Sequence, residues 1–335
     1  MCVSMMVLTA CSGEQQQQAL PQPSPQPVMG ISYPVWAADG YDRPENAVHV
    51  AQIADIGANW ISLTITWYQD ELGSSCPAPG PQTVSLEGIE RVAALARSAG
   101  LEVAIKPMVD LPDDTYRGEI EPDDVEQWFD CYATLMGEVA QVGDRSGAGM
   151  IIVGTELISL ERHEQNWRAL IAQLRDEFAG TLTYSANYTD LDTIGFWDDL
   201  DFIGVSAYWP LADRPTDDVD LLVAGWQPHV QALEAMARSW DREILLTEVG
   251  YRSVHGAVVA PWDWQSDLEA DQAEQAAAFE ATRAAWSGSQ HFAGLLVWAW
   301  DDLSDAGDDQ ATDYTPRAKV AELVIYNWFS DTLSG

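Results

Sequence analysis

Two glutamates, Glu156 and Glu248, each interrupt an apolar run of the sequence at its exit, in MIIVGTE and EILLTEV respectively. An ionised carboxylate beside Ile, Val and Leu is unfavourable unless it has partners, so both positions require a reason. One reason is chemical, because paired carboxyl groups can act as a nucleophile and as a general acid and base. The structural alternative is a carboxylate solvated just past a strand end, or paired with a neighbouring arginine such as Arg252.

The chemistry that best fits two facing carboxyls is cleavage of a glycosidic bond. When they lie ~5 Å apart, one attacks the anomeric carbon, and the other first protonates the leaving oxygen and then activates water. The chain also contains 15 Trp, more than a core requires, and indole rings offer large apolar faces on which sugars can stack. Together the two features predict a carbohydrate-cleaving site lined by aromatic rings.

The elements that position these residues follow from the apolar periodicity. Eight β-rich runs alternate with amphipathic stretches, and the runs are 30–35, 59–66, 101–108, 150–156, 181–187, 201–208, 243–249 and 292–300. Helical patterns include 86–99, 123–142, 161–178, 219–240 and 267–286. Apolar strands that alternate with helices indicate a parallel sheet covered on both faces. Since no linker interrupts the pattern, we predict the α/β class and a single-domain (β/α)8 TIM barrel.

In such a barrel the chemistry lies at the carboxyl ends of the strands. The fourth run ends at Glu156, and Glu248 is the last residue but one of the seventh run, so their side chains are expected to converge across the mouth. Other run ends carry amide, basic and aromatic residues: Trp36, Lys106, Asn187, Tyr208, Trp209, Trp298 and Trp300. Three glycines that precede runs, Gly57, Gly100 and Gly180, are predicted to end helices in the left-handed conformation.

On these residues the chain resembles the clan A retaining glycoside hydrolases, in particular glycoside hydrolase family 113, whose known members are mainly β-mannanases. The similar segments include KP at 106–107, RG at 117–118, GTEL at 154–157, DFIG at 201–204, TEVGYRS at 247–253 and DYTP at 313–316. The resemblance implies that Glu156 is the acid/base, that Glu248 is the nucleophile, and that Tyr208 hydrogen-bonds the nucleophile. It also implies sugar contacts by Asn187, Trp298 and Trp300, and the strand-end residues Lys106, Trp36 and Trp209 complete the predicted substrate-binding set.

Two positions depart from the clan pattern. Thr155 stands where an Asn commonly precedes the acid/base and binds the sugar 2-hydroxyl, and Met108 follows Lys-Pro where His is frequent. The predicted substrate is therefore β-1,4-linked mannan or mannooligosaccharides, with another β-linked glycan as the alternative within the clan. Outside enzymes, the alternative is a tethered, non-catalytic carbohydrate-binding barrel, which would have lost one of the two carboxylates.

The first residues, MCVSMMVLTAC, are apolar and end in LTAC, which resembles a bacterial lipobox with Cys11 as the lipidated residue. A buried N-terminal strand is the alternative. The following Gln/Pro-rich segment has no apolar periodicity and suits an extended tether. We thus predict a signal and lipobox at 1–11, a tether at 12–28 and a glycoside hydrolase domain at 29–335. The protein would be exported, would touch the membrane only through its lipid anchor, and would face outward.

The remaining cysteines, Cys76 and Cys131, form a candidate disulfide of an exported domain, with two free thiols as the alternative.

The net charge is −37, from 16 Lys+Arg and 53 Asp+Glu, which excludes nucleic-acid binding and disfavours binding to anionic membrane surfaces. The five His show no zinc-ligand spacing, and the Asp-rich segment 301–313 does not match an EF-hand. We predict no metal or cofactor, although calcium in that segment stays open.

Overall fold

The computed structural model describes residues 26–300 and 311–334. Eight parallel strands form a closed barrel: β1 (Val28–Tyr33), β2 (Trp60–Tyr68), β4 (Glu102–Asp110), β5 (Met150–Thr155), β6 (Thr181–Asn187), β7 (Phe202–Ser206), β8 (Glu243–Val249) and β9 (Phe292–Val297). Strand β1 pairs with both β2 and β9, and these two pairings close the sheet. A short strand that the sequence patterns did not predict, β3 (Ala78–Pro79), pairs antiparallel with β2.

Helices connect the strands in the order of a (β/α)8 barrel. They are α1 (Asn46–Asp55), α2 (Leu86–Ser98), α3 (Val125–Ser146), α4 (Ile158–Glu161), α5 (Glu164–Glu177), α6 (Val219–Trp240), α7 (Gln272–Trp286) and α8 (Val320–Ser334). Short polar residues start several of them, since the side chains of Ser85, Asp124 and Asp218 each accept a hydrogen bond from a first-turn N–H. The predicted fold class is confirmed.

The predicted elements differ from the structure mainly at their ends. Strand β1 begins at Val28, the last residue of the predicted tether. The helix expected over 267–286 begins at Gln272, because the Asp271 carboxylate accepts hydrogen bonds from two first-turn N–H groups. Gly57 and Gly100 have the predicted left-handed φ of 85°, but the prediction for Gly180 was wrong. There the absence of a Cβ allows close approach instead, because a Cβ would lie 2.8 Å from the carbonyl oxygen of Gly149.

The barrel strands bury side chains on both faces. A large cluster fills the space between strands and helices, and a second, separate cluster consists only of strand-associated residues: Val28, Trp60, Ala104, Met150, Ile152, Phe202, Leu245, Ala293 and Leu296. The second cluster is the apolar packing inside the barrel. Because side chains alternate along a strand, Lys106 points inward like Ala104. The interior therefore changes from apolar at one end to polar toward the carboxyl ends of the strands.

Strand β8 contains a β-bulge that brings Glu248 into this interior. From Leu245 to Glu248, β8 advances three residues while the facing β7 advances two, and a matching shift occurs against β9. Strict alternation from the inward Leu245 would turn Glu248 toward the helices. The extra residue reverses this, so that Val249 packs in the outer core and Glu248 faces inward. A similar shift between Ile152 and Thr155 precedes Glu156 on β5.

Cys76 and Cys131 are joined by a disulfide, with a Cα–Cα distance of 5.4 Å. The bond ties the segment before β3 to α3. The predicted lipobox, with Cys11, and all but the last residues of the predicted tether lie outside the described residues. No helix in 26–300 or 311–334 is long and apolar enough to cross a membrane.

Candidate active site

Glu248 is held by two side chains from other strands. The Lys106 Nζ, on β4, forms an ion pair with Glu248 Oε1, and the Tyr208 hydroxyl, just after β7, donates a 2.6 Å hydrogen bond to Oε2. Lys106 is 0% exposed and Glu248 is 5% exposed. Each carboxylate oxygen thus has its own donor, and the charge is compensated by the buried ammonium group.

Glu156 lies directly after β5, in a left-handed backbone conformation with φ of 53°. Its N–H donates to the carbonyl oxygen of Ser185 at 2.8 Å. The Asn187 Nδ2 donates to Glu156 Oε1 at 3.0 Å and to the Tyr116 hydroxyl at 2.7 Å. In contrast to Glu248, the Glu156 carboxyl receives a neutral amide donor and forms no direct ion pair with any residue in 26–300 or 311–334.

The surroundings of the two carboxyls differ electrostatically. Burial, and after it the charge of Glu248, raise the pKa of Glu156 to about 7, against smaller opposite effects of Arg117 and Lys106. Burial lowers the pKa of Lys106, and the carboxylate of Glu248 opposes that effect. The charges of Glu248 and Lys106 thus affect the pKa of Glu156, and the charge of Glu248 affects the pKa of Lys106. Glu156 holds a proton near neutral pH beside the ion-paired Glu248.

Arg252 does not pair with Glu248, which removes one of the structural alternatives. Its guanidinium donates to the carbonyl oxygens of Thr312, Asp263 and Ser266 at 2.8–3.2 Å. Arg252 therefore ties together the loop after β8 and the segment before α8. The solvated alternative also fails for Glu248, which is 5% exposed.

The predicted aromatic residues fall into two groups. Trp298 is half-buried beside the ion pair, with the Lys106 Nζ 5.3 Å from its ring centroid. The 43%-exposed Trp36 packs edge-on against it with centroids 6.5 Å apart. Trp300 is 1% exposed, so its ring presents almost no surface on which a sugar could lie. Trp209 is also buried and stacks on His229 at 4.7 Å.

A further exposed aromatic pair was missed from sequence. Tyr188 follows Asn187 and stacks on Trp262 with centroids 6.0 Å apart. Trp262 is 46% exposed, whereas Tyr188 is half-buried. Burial, and after it the charge of Glu156, raise the pKa of Tyr188. The pair of Tyr188 and Trp262 therefore lies at the mouth of the barrel on the side of Glu156. Its two members are far apart in sequence, and only the position of Tyr188 after a predicted strand could have signalled it.

Two other residues near the carboxyls were also not singled out from sequence. The hydroxyl of Tyr116 accepts a hydrogen bond from the same Asn187 amide group that donates to Glu156. Arg117, which the family resemblance included only as part of a segment, pairs with Asp110 at 2.7 Å, and its charge lowers the pKa of Glu156. Both follow β4, so their signal was again a position after a strand end.

The two departures from the clan pattern are buried. The Thr155 hydroxyl donates to the carbonyl oxygen of Pro107 at 3.1 Å, and Thr155 is 1% exposed. Met108 is 3% exposed. The Thr155 hydroxyl is therefore engaged with the backbone, and the Met108 thioether lacks the N–H donor that a histidine would have at that position.

One group of potential metal ligands occurs in the described part of the chain. It consists of His255, Asp271 and Glu274, whose ligand atoms lie within 4.8 Å of one another. Glu274 accepts hydrogen bonds from the N–H groups of Gly256 and Val258, and Asp271 caps α7. These contacts give both carboxylates a role in the local structure. Most of the Asp-rich segment 301–313 lies outside the described residues.

Known structures share this architecture. The GH113 β-mannanase AaManA from Alicyclobacillus acidocaldarius, solved in complex with ManMIm, is 30% identical with a TM-score of 0.83, over 92% of this chain and 98% of that chain. A complex structure of a GH113 β-1,4-mannanase is 24% identical with a TM-score of 0.81, over 91% and 99%. GH5_18 from Streptomyces cattleya, in complex with GlcNAc, is 15% identical with a TM-score of 0.65, over 92% and 81%, a likeness of fold alone.

The sequence comparisons agree with the structural ones at the level of the family. No curated protein matches the chain significantly. The profile described as Glycoside Hydrolase Family 113 matches residues 31–319, most of the barrel. Because that profile spans nearly the whole domain and a 30%-identical member aligns over 92% of the chain, the protein belongs to glycoside hydrolase family 113 and is a glycoside hydrolase.

Proposed function

We propose that the protein hydrolyses β-1,4-linked mannan and mannooligosaccharides with retention of anomeric configuration, with Glu248 as nucleophile and Glu156 as acid/base. The substrate class is supported by the family and by the 30%-identical Alicyclobacillus structure, which is described as a β-mannanase. The roles of the two residues rest on the different surroundings of their carboxyls.

That asymmetry is the observation that carries the proposal. Glu248 is ion-paired with Lys106 and hydrogen-bonded by Tyr208, which favours its ionised, nucleophilic form. Glu156 has no direct cationic partner among the residues that the structure describes, and burial raises its pKa to about 7, which favours a protonated general acid. A double displacement requires both forms at the same time.

In the first step the Glu248 carboxylate forms a bond to the anomeric carbon while Glu156 transfers its proton to the departing glycosidic oxygen. In the second step Glu156, now ionised, takes a proton from water, and the resulting hydroxide attacks the anomeric carbon and displaces Glu248. Two inversions give net retention. Asn187, which donates to Glu156, and Trp298, beside the ion pair, border the position of the reacting sugar.

The nucleophile is tested by Glu248→Ala, which should lose essentially all turnover of mannohexaose. With a dinitrophenyl β-mannoside, azide should restore activity and give the α-glycosyl azide, because azide replaces the missing carboxylate and attacks once. Glu243→Ala, at the other end of the same strand and exposed, is the matched control and should keep activity. Near-normal turnover by Glu248→Ala would exclude the assignment.

The substrate alternative, another β-linked glycan, is decided by comparing mannan, glucomannan, cellulose, xylan and galactan oligosaccharides. Because the Thr155 hydroxyl is hydrogen-bonded to the carbonyl oxygen of Pro107, we expect the preference to come from other polar groups at the mouth. We expect the highest kcat/KM on mannooligosaccharides. Saccharide binding without release of reducing ends would instead favour the carbohydrate-binding alternative.

We also propose that the protein is exported, lipidated at Cys11 and tethered through residues 12–28, with the catalytic domain facing outward. The disulfide between Cys76 and Cys131 supports an oxidising compartment. In a bacterial host, Cys11→Ser should abolish incorporation of labelled palmitate and move the protein from the membrane to the soluble fraction. Unchanged membrane association of that variant would contradict the anchor.

A further inference from the structure

A third buried carboxyl lies close to the proposed acid/base and has no part in the two chemical steps. Glu161 ends α4, five residues after Glu156, and is 0% exposed. The Tyr184 hydroxyl donates to its Oε1 at 3.0 Å, and the Thr193 hydroxyl donates to its Oε2 at 2.8 Å. Burying a carboxyl with only neutral hydroxyl donors is unfavourable, so Glu161 requires a reason of its own.

Tyr184 connects Glu161 to the backbone at Glu156. Its hydroxyl oxygen accepts a 2.9 Å hydrogen bond from the N–H of Leu157, the residue directly after Glu156. The next residue on β6, Ser185, accepts from the N–H of Glu156 itself. Neighbouring residues of β6 therefore hold both N–H groups of the turn that carries the Glu156 carboxyl.

This turn needs such support because Glu156 has a φ of 53°, a conformation that a residue with a Cβ rarely adopts. The Tyr184 ring cannot move away easily, since Trp167 and Phe196 pack against it with centroids 5.2 and 5.7 Å away. A phenolic hydroxyl has one proton. When that proton is directed at Glu161, the oxygen lone pairs are left to accept from Leu157.

We propose that Glu161 is a positioning residue for the acid/base: it orients the Tyr184 hydroxyl, which in turn holds the Glu156–Leu157 turn and directs the Glu156 carboxyl at the leaving oxygen. The inference rests on the proposed role of Glu156. Burial also raises the pKa of Glu161, to about 7. A protonated Glu161 keeps a carbonyl oxygen that can accept from Tyr184, so the contact does not depend on ionisation.

The test compares substrates that do and do not need a general acid. Tyr184→Phe and Glu161→Leu should lower kcat/KM for mannohexaose by about 10²-fold, the loss expected when a catalytic group is misplaced by about 1 Å. A dinitrophenyl β-mannoside, whose leaving group needs no proton, should lose less than about threefold in kcat/KM. Glu161→Gln keeps an acceptor for Tyr184 and should restore most activity on mannohexaose.

Tyr132→Phe is the matched control, because Tyr132 is a buried tyrosine that also packs on Trp167 but donates to the carbonyl oxygen of Val153. It should reduce thermal stability, and any loss of kcat/KM should be the same for mannohexaose and for the dinitrophenyl β-mannoside. Equal losses on both substrates in Tyr184→Phe and Glu161→Leu would overturn the proposal, because they would indicate general destabilisation.

Amide hydrogen exchange at Leu157 gives a readout that does not depend on activity. The Leu157 amide should exchange faster in Glu161→Leu and Tyr184→Phe than in the wild type and in Tyr132→Phe. Unchanged protection would overturn the connection through Tyr184. If the wild type cleaved no mannan, the proposed function would fail, and the exchange result would still decide whether Glu161 holds the turn.

Discussion

At the scale of single residues, the pairing of Lys106 with Glu248 places two opposite charges together inside the barrel. Both side chains are almost fully buried, and neither would be stable there as an isolated charge. A lysine inside an apolar barrel is therefore explained by the carboxylate that it compensates. The pair thus holds one carboxyl of the site in place before any substrate binds.

Lys106→Met should expose this dependence. The variant leaves Glu248 buried without its cation, which costs about 3–5 kcal/mol and favours the neutral carboxylic acid. If most of that free energy destabilises the enzyme form with an ionised Glu248, kcat/KM for mannohexaose should fall by on the order of 10²–10³-fold. Steady-state kinetics and thermal unfolding of the same preparation measure the two effects. Wild-type kinetics in a folded Lys106→Met protein would show that the ion pair is dispensable.

The raised pKa of Glu156 predicts the alkaline limb of the pH profile. Glycosylation requires the protonated form, and burial together with Glu248 moves the pKa from 4.5 to about 7. As pH rises through that value, the acid is lost, so kcat/KM for mannohexaose should decline above about pH 7. Glu156→Ala should lack this limb because the titrating carboxyl is absent. The variant can be assayed on a dinitrophenyl β-mannoside, whose leaving group needs no general acid. A limb that persists in the variant would have to be assigned to another group.

At the scale of elements, the β-bulges decide which way the two carboxyls point. The extra residue in β8 turns Glu248 from the helix side to the interior, toward Lys106 and Tyr208. The shift in β5 comes just before Glu156, whose left-handed conformation completes the change of direction. Irregular pairing next to an active site is a common way to aim a side chain. Both carboxyls thus owe their direction to a local break in strand alternation.

The loop after β8 provides a second element-scale prediction, because it carries two exposed tryptophans with different surroundings. Trp262 stacks on Tyr188 near Glu156, whereas Trp264 is 57% exposed. Trp262→Ala removes an aromatic face worth about 1 kcal/mol of sugar binding, so KM for mannohexaose should rise by about five- to tenfold. Trp264→Ala, in the same loop, should change KM little. Equal KM values for the two variants would remove Trp262 from the binding surface.

At the scale of the whole molecule, the disulfide links two elements on one side of the barrel. Cys76 and Cys131 are 55 residues apart in sequence. In the chain-entropy account, closing a loop of that length stabilises the fold by about 4 kcal/mol, and typical measured values are about 2–4 kcal/mol. Reductant should therefore lower Tm by several degrees. The double variant Cys76→Ser/Cys131→Ser should start from the lower Tm and show no further response to reductant.

The net charge of −37 also acts on the molecule as a whole. Most of the ion pairs involve exposed or half-exposed side chains, where each contributes little. We expect an excess of acid of this size to favour solubility and to disfavour binding to anionic surfaces, while a neutral polysaccharide is neither attracted nor repelled. The charges of Lys106 and Glu248, which are buried at the mouth, act more strongly on each other, because water screens them little there.

The sequence by itself determined the order of the elements, the closed barrel and the two carboxylates that end its fourth and seventh strands. It could do so because apolar periodicity and breaks in it are local signals. Strand ends were predicted to within a few residues, and the hydrogen bond from Tyr208 to Glu248 that the family resemblance implies is present. Asn187 was predicted as a sugar contact, and the structure shows in addition that it donates to Glu156.

Only the tertiary structure decided the direction and partners of these groups. The bulge in β8 is defined by how β8 pairs with β7 and β9. The sequence pattern of β8 alone contains no information about that pairing. Lys106 and Glu248 meet across 142 residues of sequence, and Glu161 reaches the turn at Glu156 only through Tyr184 on the next strand. Such contacts depend on barrel closure, because it brings strand ends together regardless of their separation along the chain.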